Sequence, residues 1–328
     1  MSITVSESAR GSELQALVDD VHGKYEPLGE GQVATYIPEL SKADPDAFGV
    51  CVVTADGRTF EAGDCDRPFT IQSISKPFTF GMALEELGCT RVMRHVGVEP
   101  SGDAFNSIEL QNHSNRPFNP MVNSGAITVT ALLHTVHGDR TFDYLLERFS
   151  TIAGRQLTID HDVYESERRT GHRNRAIAHL LLNFGVVHEH AEAALDVYFR
   201  QCSILVTCRD LATMAATLAN MGRNPLTGES AYTIAYVKDI LSIMFTCGMY
   251  DYSGQWAYRV GVPAKSGVSG GVLAVVNRQL GIGTYSPRLD EYGNSRRGTE
   301  VCAEMASRLG LHVFDCLNVG SSFLDAML

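Results

Sequence analysis

The chain has 328 residues, and 38 acidic against 27 basic side chains give it a formal charge of −11 at pH 7. At roughly 150 residues per domain, that length allows one large domain or two smaller ones, with ample chain to bury a core. A content of 44% apolar and 20% charged residues excludes a disordered or a fibrous chain. An acidic chain with no basic run cannot neutralise a track of phosphates, which argues against a nucleic-acid partner. No apolar run approaches the roughly 20 residues of a membrane helix; Val272-Leu273-Ala274-Val275-Val276 is strand-sized. The N-terminus has no basic start followed by an apolar block, so a soluble, cytoplasmic protein is expected. The eight cysteines form no C-x-x-C pair and read as buried thiols of a reducing compartment.

In chain order, residues 1–11 are polar and read as a mobile start. Leu14, Leu17, Val18 and Val21 then give helical spacing over 13–22. Residues 48–60 predict a β-hairpin, with the strand Gly49–Thr54 turning at Asp56-Gly57 into Arg58-Thr59-Phe60. A long helical middle follows, with helices predicted over about 74–87, 124–137, 142–153, 174–184, 191–203, 208–221 and 231–246. Strand character returns at 259–265, 271–276 and 281–285, and a last helix covers about 297–308. Strands at both ends around an inserted helical block predict an α+β fold. One antiparallel sheet is built from both chain ends, helices pack on it, and a helical subdomain stands beside it. The site is expected in the cleft between the two parts.

Two motifs carry chemistry. Ser73-Ile74-Ser75-Lys76 opens the helix predicted over 74–87, and Pro77 fits only a first helical turn, which places Ser73 at its start. Ser and Lys three apart share a helix face. A neutral lysine amine can take the proton of a serine nucleophile, provided that burial or a second cation brings its pKa down from about 10.4 to about 7–8. Alone, the motif reads equally as a helix cap with a solvated lysine. The second motif, Lys265-Ser266-Gly267, ends a predicted strand. A K-[ST]-G strand accompanies S-x-x-K in serine acyl-transfer enzymes. Its lysine can serve as the second cation, and its edge can offer an N–H to an oxyanion. By itself it is a strand end entering a glycine turn. Other patterns carry less: Gly29-Glu30-Gly31 lacks a preceding strand and reads as a loop, and His188-Glu189-His190 cannot set both imidazoles on one helix face for a metal.

In these blocks the chain resembles the serine-dependent glutaminases, whose fold is related to the serine β-lactamases. The matching blocks are Gln32–Leu40, Gln72–Phe78, Asn119–Ala126, Tyr164–Glu167, Arg173–Ala176, Tyr198–Ser203 and Asp210–Ala212. Met249–Asp251 with Ser253-Gly254, and Lys265–Val268, complete the series. The resemblance runs from about Tyr25 to the last helix. It implies a glutaminase domain over 25–328, a helical subdomain over about 90–250, and an N-terminal extension with a helix over 1–24.

The resemblance implies hydrolysis of L-glutamine to L-glutamate and ammonia. Ser73 would be the nucleophile, Lys76 its base and Tyr250 a proton carrier to ammonia, with the N–H groups of Ser73 and Val268 as oxyanion hole. Tyr36, Gln72, Asn123, Glu167, Asn174 and Tyr198 would hold the amino-acid end, Glu167 facing the α-ammonium, with Lys265 in support. No cofactor, metal, nucleic acid or membrane is implied, and the family commonly forms homodimers or homotetramers. Ser269 stands where the family often has glycine after the oxyanion-hole valine, which puts the Val268 geometry in question. Asn277 stands where proline is common, a neutral change. A β-lactamase or D-alanyl-D-alanine peptidase shares both short motifs, but Asn123-Ser124 reverses the S-x-N order and Glu167 would repel an anionic β-lactam. A non-catalytic amino-acid sensor is the third reading, against which stand the intact Ser73, Lys76 and Tyr250.

Overall fold

The computed structural model describes residues 7–102, 107–187 and 190–315, with side chains from residue 11 onward. In chain order the elements are α1 (Glu7–Tyr25), β1 (Gly49–Thr54), β2 (Thr59–Gly63), β3 (Phe69–Thr70), α2 (Ser75–Leu87), α3 (Cys89–Val92), α4 (Asn123–His137) and α5 (Thr141–Ala153). They continue with β4 (Thr158–Ile159), α6 (His161–Thr170), α7 (His172–Asn183), α8 (Ala191–Cys202), β5 (Ile204–Val206), α9 (Cys208–Ala219) and α10 (Ile234–Cys247). The chain then returns through α11 (Ser253–Arg259), β6 (Ala264–Ser266), β7 (Gly271–Val276), β8 (Leu280–Tyr285) and α12 (Arg296–Leu309).

The expected sheet is present: five antiparallel strands from both chain ends, in the order β2-β1-β8-β7-β6. All six residues of β1, of β7 and of β8 are buried, because both faces of the sheet are covered. On one face Val50, Val52, Val272, Ala274 and Ile282 pack with Val18 and Val21 of α1, Val301 and Met305 of α12, and Trp256 of α11. On the other, Cys51, Val53, Leu273 and Val275 meet Leu211, Ala212, Ala215 and Ala216 of α9. Two glycines allow that helix to lie directly on β8: a Cβ at Gly281 would stand 2.3 Å from Ala216 N, and one at Gly283 would stand 2.4 Å from Cys208 O. Helix α9 is apolar on nearly every side, as a helix buried between layers must be.

Three expectations change. Residues 7–11, read as a mobile start, belong to α1, while 1–6 lie outside the described residues. The strand predicted over 259–265 is the end of α11, a turn at Gly261 (φ +68°) and the short β6. Its Val-x-Val pattern comes from Val260 and Val262 packing into the core beside Trp256 without pairing in the sheet. A second, three-stranded sheet, β3-β5-β4, has no counterpart in the sequence reading. Gly29-Glu30-Gly31 is a loop as expected, whereas the His188–His190 reading falls largely outside the described residues. Among the described residues, no helix is long and apolar enough to cross a membrane.

Candidate active site

The small sheet aims the first motif. Phe69 and Thr70 of β3 pair with Val206 and Leu205 of β5, and Ile71 N continues the ladder to Ile204 O at 2.8 Å. The chain then reverses sharply at Gln72, whose φ of +49° lies in the left-handed region. A non-glycine residue there costs about 1–3 kcal/mol and persists only where its surroundings hold it. One 3₁₀ turn, Gln72–Ile74, runs directly into α2, so Ser73 sits at the start of the helix and is 6% exposed.

Lys76, one turn on, is 1% exposed, and its Nζ donates to Met121 O at 3.0 Å and to Asn123 Oδ1 at 2.7 Å. A neutral amine has two N–H groups and one lone pair, so these two acceptors use its donors and leave the lone pair. Burial brings the Lys76 pKa down to about 8, against the opposing pull of Cys202 and Glu167. Of the two routes open in the sequence, burial is therefore the operative one. Lys265 is itself held well below its usual value, first by burial and then by the neighbouring Lys76. Its Nζ donates to Gly248 O and Ser266 O, both at 2.8 Å, and stands 4.1 Å from the centre of the Tyr250 ring.

Tyr250, also left-handed at φ +59°, donates its hydroxyl to Ser266 O at 3.0 Å and hydrogen-bonds to Ser73. Burial pushes this phenol up, which keeps its proton in place. Among the described residues, the Ser73 hydroxyl is thus bonded to Tyr250, and Lys76 to Met121 and Asn123. Catalytic hydrogen bonds often close only in the complex with substrate.

Glu167 comes from α6, a helix that the sequence reading did not predict because only Val163, Ser166 and Glu167 face inward. The Asp160 carboxylate caps it, accepting from the N–H groups of Asp162 and Val163 at 3.0 Å each. Glu167 is 6% exposed, its Oε2 has no partner, and Gln72 lies near enough to oppose the upward shift of its carboxyl. Burial pushes its pKa up to about 8. Asn123 lies at the start of α4: its Oδ1 accepts from Lys76 and, at 3.4 Å, from the Tyr198 hydroxyl, while its Nδ2 donates to Asn174 Oδ1 at 3.0 Å. The Tyr36 residue is 55% exposed at the rim, yet its hydroxyl lies deep enough to interact with Tyr250, Glu167 and Cys202.

After β6 the chain turns through Gly267–Gly271, closed by Gly267 N to Gly271 O at 3.0 Å and Gly270 N to Gly267 O at 2.9 Å. Gly270 takes the left-handed conformation (φ +103°) and Ser269 does not. Serine at 269 therefore imposes no left-handed backbone strain, while its buried hydroxyl has no hydrogen-bond partner. The Val268 N–H has no hydrogen-bond acceptor among the described residues. The turn presses on the nucleophile loop, since a Cβ at Gly267 would stand 3.1 Å from Ile71 O. A cleft of about 970 Å³ opens beside it, with Tyr36 and Val268 on its wall and Tyr252, Arg259 and Arg296 farther out.

The sequence reading missed three residues. Cys202, 2% exposed, hydrogen-bonds to Tyr198 and faces Lys76 and Glu167; its i, i+4 spacing from Tyr198 was the available signal. Ser75 and Gln201 lie behind Gln72 and are taken up below. Among the described residues, no group of three or more His, Cys, Asp or Glu side chains is arranged to hold a metal.

Ser73 and Lys76 at a helix start, beside the Lys265-Ser266-Gly267 turn on a both-ends antiparallel sheet, belong to a β-lactamase-like fold. Comparison with known proteins narrows this class. The glutaminase family model matches residues 31–314. A glutaminase of Trichormus variabilis is 54% identical over 310 residues, covering 94% of this chain and 93% of the relative. A solved structure of a probable glutaminase, YbaS, superposes with a TM-score of 0.90 at 43% identity, covering 92% of this chain and 98% of the other. A probable glutaminase from Bacillus subtilis, complexed with 6-diazo-5-oxo-L-norleucine, gives a TM-score of 0.84 at 35% identity, covering 96% of this chain and 98% of the other. The chain belongs to the glutaminase family.

Proposed function

We propose that this glutaminase hydrolyses L-glutamine to L-glutamate and ammonia through a glutamyl ester on Ser73. Ser73 Oγ attacks the side-chain carboxamide carbon while its proton passes to the Lys76 amine, whose lone pair is left free by the N–H bonds to Met121 and Asn123. The carbonyl oxygen becomes an oxyanion against the Ser73 and Val268 N–H groups, where fixed donors at a dry site stabilise developing charge. The C–N bond breaks, and ammonia leaves with a proton delivered through Tyr250. Water then attacks the ester, the ester C–O bond breaks, and the proton returns to Ser73 by the same groups.

The observation that carries the substrate assignment is the buried, unpartnered Oε2 of Glu167, close to Gln72 and so to the loop that bears Ser73. A carboxyl group without a protein cation in such a place suits the α-ammonium of an amino acid, and Asn123, Asn174, Tyr36 and Tyr198 supply neutral groups for the rest of that end. Lys265 braces the Tyr250 turn. Seven free cysteines among the described residues agree with a reducing compartment, and we place the protein in the cytoplasm. A homodimer or homotetramer follows the family's common forms, as do a domain over 25–328 and its helical subdomain over about 90–250.

Purified protein should release glutamate and ammonia from L-glutamine in a coupled assay and leave nitrocefin intact. Nitrocefin hydrolysis without ammonia from glutamine would favour the β-lactamase reading, and calorimetric glutamine binding without turnover the sensor. Glu167→Gln should lower kcat/KM for L-glutamine about 100-fold, chiefly through KM, because an ion pair to the α-ammonium becomes a neutral hydrogen bond. Unchanged KM in that variant would move the ammonium elsewhere.

A further inference from the structure

The left-handed turn at Gln72 is the strained point of the site, and the structure shows what holds it. The Gln72 carbonyl accepts two hydrogen bonds from Ser75, one from its backbone N–H and one from its hydroxyl at 2.7 Å. The Ser75 Oγ in turn accepts from Gln201 Nε2 at 2.8 Å, and Gln201 Oε1 lies 3.5 Å from the Thr130 hydroxyl, which also donates to Ala126 O at 3.0 Å. Ser75, Gln201 and Thr130 are all 0% exposed. They come from three helices, α2, α8 and α4, and none of them faces the cleft.

The direction of each bond matters. A serine hydroxyl has one proton, and Ser75 can give it to Gln72 O or to its own helix, as Thr79 gives its hydroxyl proton to Ser75 O at 3.2 Å. The Gln201 amide N–H occupies a lone pair of the Ser75 oxygen and so turns the proton toward Gln72. A buried polar chain of this kind is costly unless every member is satisfied, and each member here has a partner.

We propose that Ser75 and Gln201 are positioning residues for catalysis. Through the Gln72 carbonyl they hold the left-handed turn that presents Ser73 to the carboxamide and the Gln72 side chain to Glu167. This rests on the assignment of Ser73 as nucleophile. It extends the Ser-x-x-Lys motif inward: the middle serine serves the turn, and a glutamine 126 residues away in sequence orients it. No substrate contact is assigned to either residue.

The test measures steady-state kinetics on L-glutamine for Ser75→Ala, Gln201→Leu and the double variant, beside Ser73→Ala, with a thermal melt of each. Ser75→Ala should lower kcat about tenfold, the scale of one net hydrogen bond, with KM within about twofold. Gln201→Leu should lose somewhat less, because Ser75 keeps its proton but not its orientation. The double variant should be no slower than Ser75→Ala, since both changes act on one carbonyl. Melting temperatures within a few degrees of wild type would set these losses apart from a general loss of fold, and where a variant melts early, kcat per folded molecule carries the comparison.

Wild-type kcat in Ser75→Ala with Ser73→Ala inactive would overturn the positioning role alone. Activity surviving in Ser73→Ala would instead overturn the assignment beneath it. Losses that add in the double variant, or that fall on KM alone, would also contradict a shared action through Gln72.

Discussion

Ser73→Ala is expected to lower kcat for L-glutamine by at least about 10⁴-fold while glutamine still binds. The hydroxyl makes no capping bond to the helix, and its recorded partner is Tyr250, so little of the fold depends on it. What disappears is the atom that forms the ester. Groups acting as one unit lose nearly everything when one is removed, and the remainder is what the oxyanion donors and binding supply by themselves. A coupled glutamate assay gives the rate, and calorimetry shows whether the pocket is intact. Equal rates in wild type and variant would remove Ser73 from the mechanism.

Lys76→Met should lower kcat about 1000-fold, within the range of a positioned general base. Methionine fills a similar volume, but it leaves Met121 O without its buried donor and Asn123 Oδ1 with only the Tyr198 hydroxyl, at about 1–3 kcal/mol of stability. The pH profile separates the base from a merely structural lysine. Only the neutral amine has a lone pair, so wild-type activity should rise with pH through about 8, the value to which burial brings Lys76. Glu167, pushed up to about 8, acts in the same direction in the free enzyme, because its ionised form holds the ammonium. Once substrate is bound, that carboxylate is paired, and the acid limb of kcat belongs to Lys76. The variant should therefore show a flattened acid limb in kcat while kcat/KM still falls at low pH. Lys76→Arg, which cannot give up its proton, should be as slow as the methionine variant. Activity retained by the arginine variant would contradict the neutral-amine base.

The parts of the fold legible in the sequence were those with a long periodic pattern. The β1–β2 hairpin, α4, β7 and the both-ends sheet all carried apolar runs that water makes decisive. What escaped detection lacked such a run. β3 and β4 have two residues each, too few for any alternation to register, although β3 delivers the nucleophile loop. Helix α6 turns a carboxylate inward where a pattern search expects a hydrophobe, so the helix carrying Glu167 read as loop. Val260 and Val262 misled in the opposite sense, because β-branched residues signal burial, and burial here is against Trp256 without strand pairing.

The site was legible in its chemistry more than in its electrostatics. Spacing placed Ser73 and Lys76 on one helix, and the resemblance supplied residues from seven other segments. It could not reveal that the Lys265 pKa is held well below its usual value, since that depends on its complete burial beside another amine. Nor could it show that Ser269 escapes the left-handed conformation, which falls to its neighbour Gly270. Cys202, Ser75 and Gln201 sit one layer behind the substrate groups, where a single sequence offers only helical spacing to point to them.

The most direct measurement is covalent labelling by a glutamine analogue that carries a diazoketone, 6-diazo-5-oxo-L-norleucine, followed by peptide mapping by mass. One analogue-derived adduct on the peptide of Ser73, with loss of glutaminase activity in proportion, is the predicted result. An adduct on the Cys202 thiol, or inactivation with Ser73 unmodified, would contradict the account.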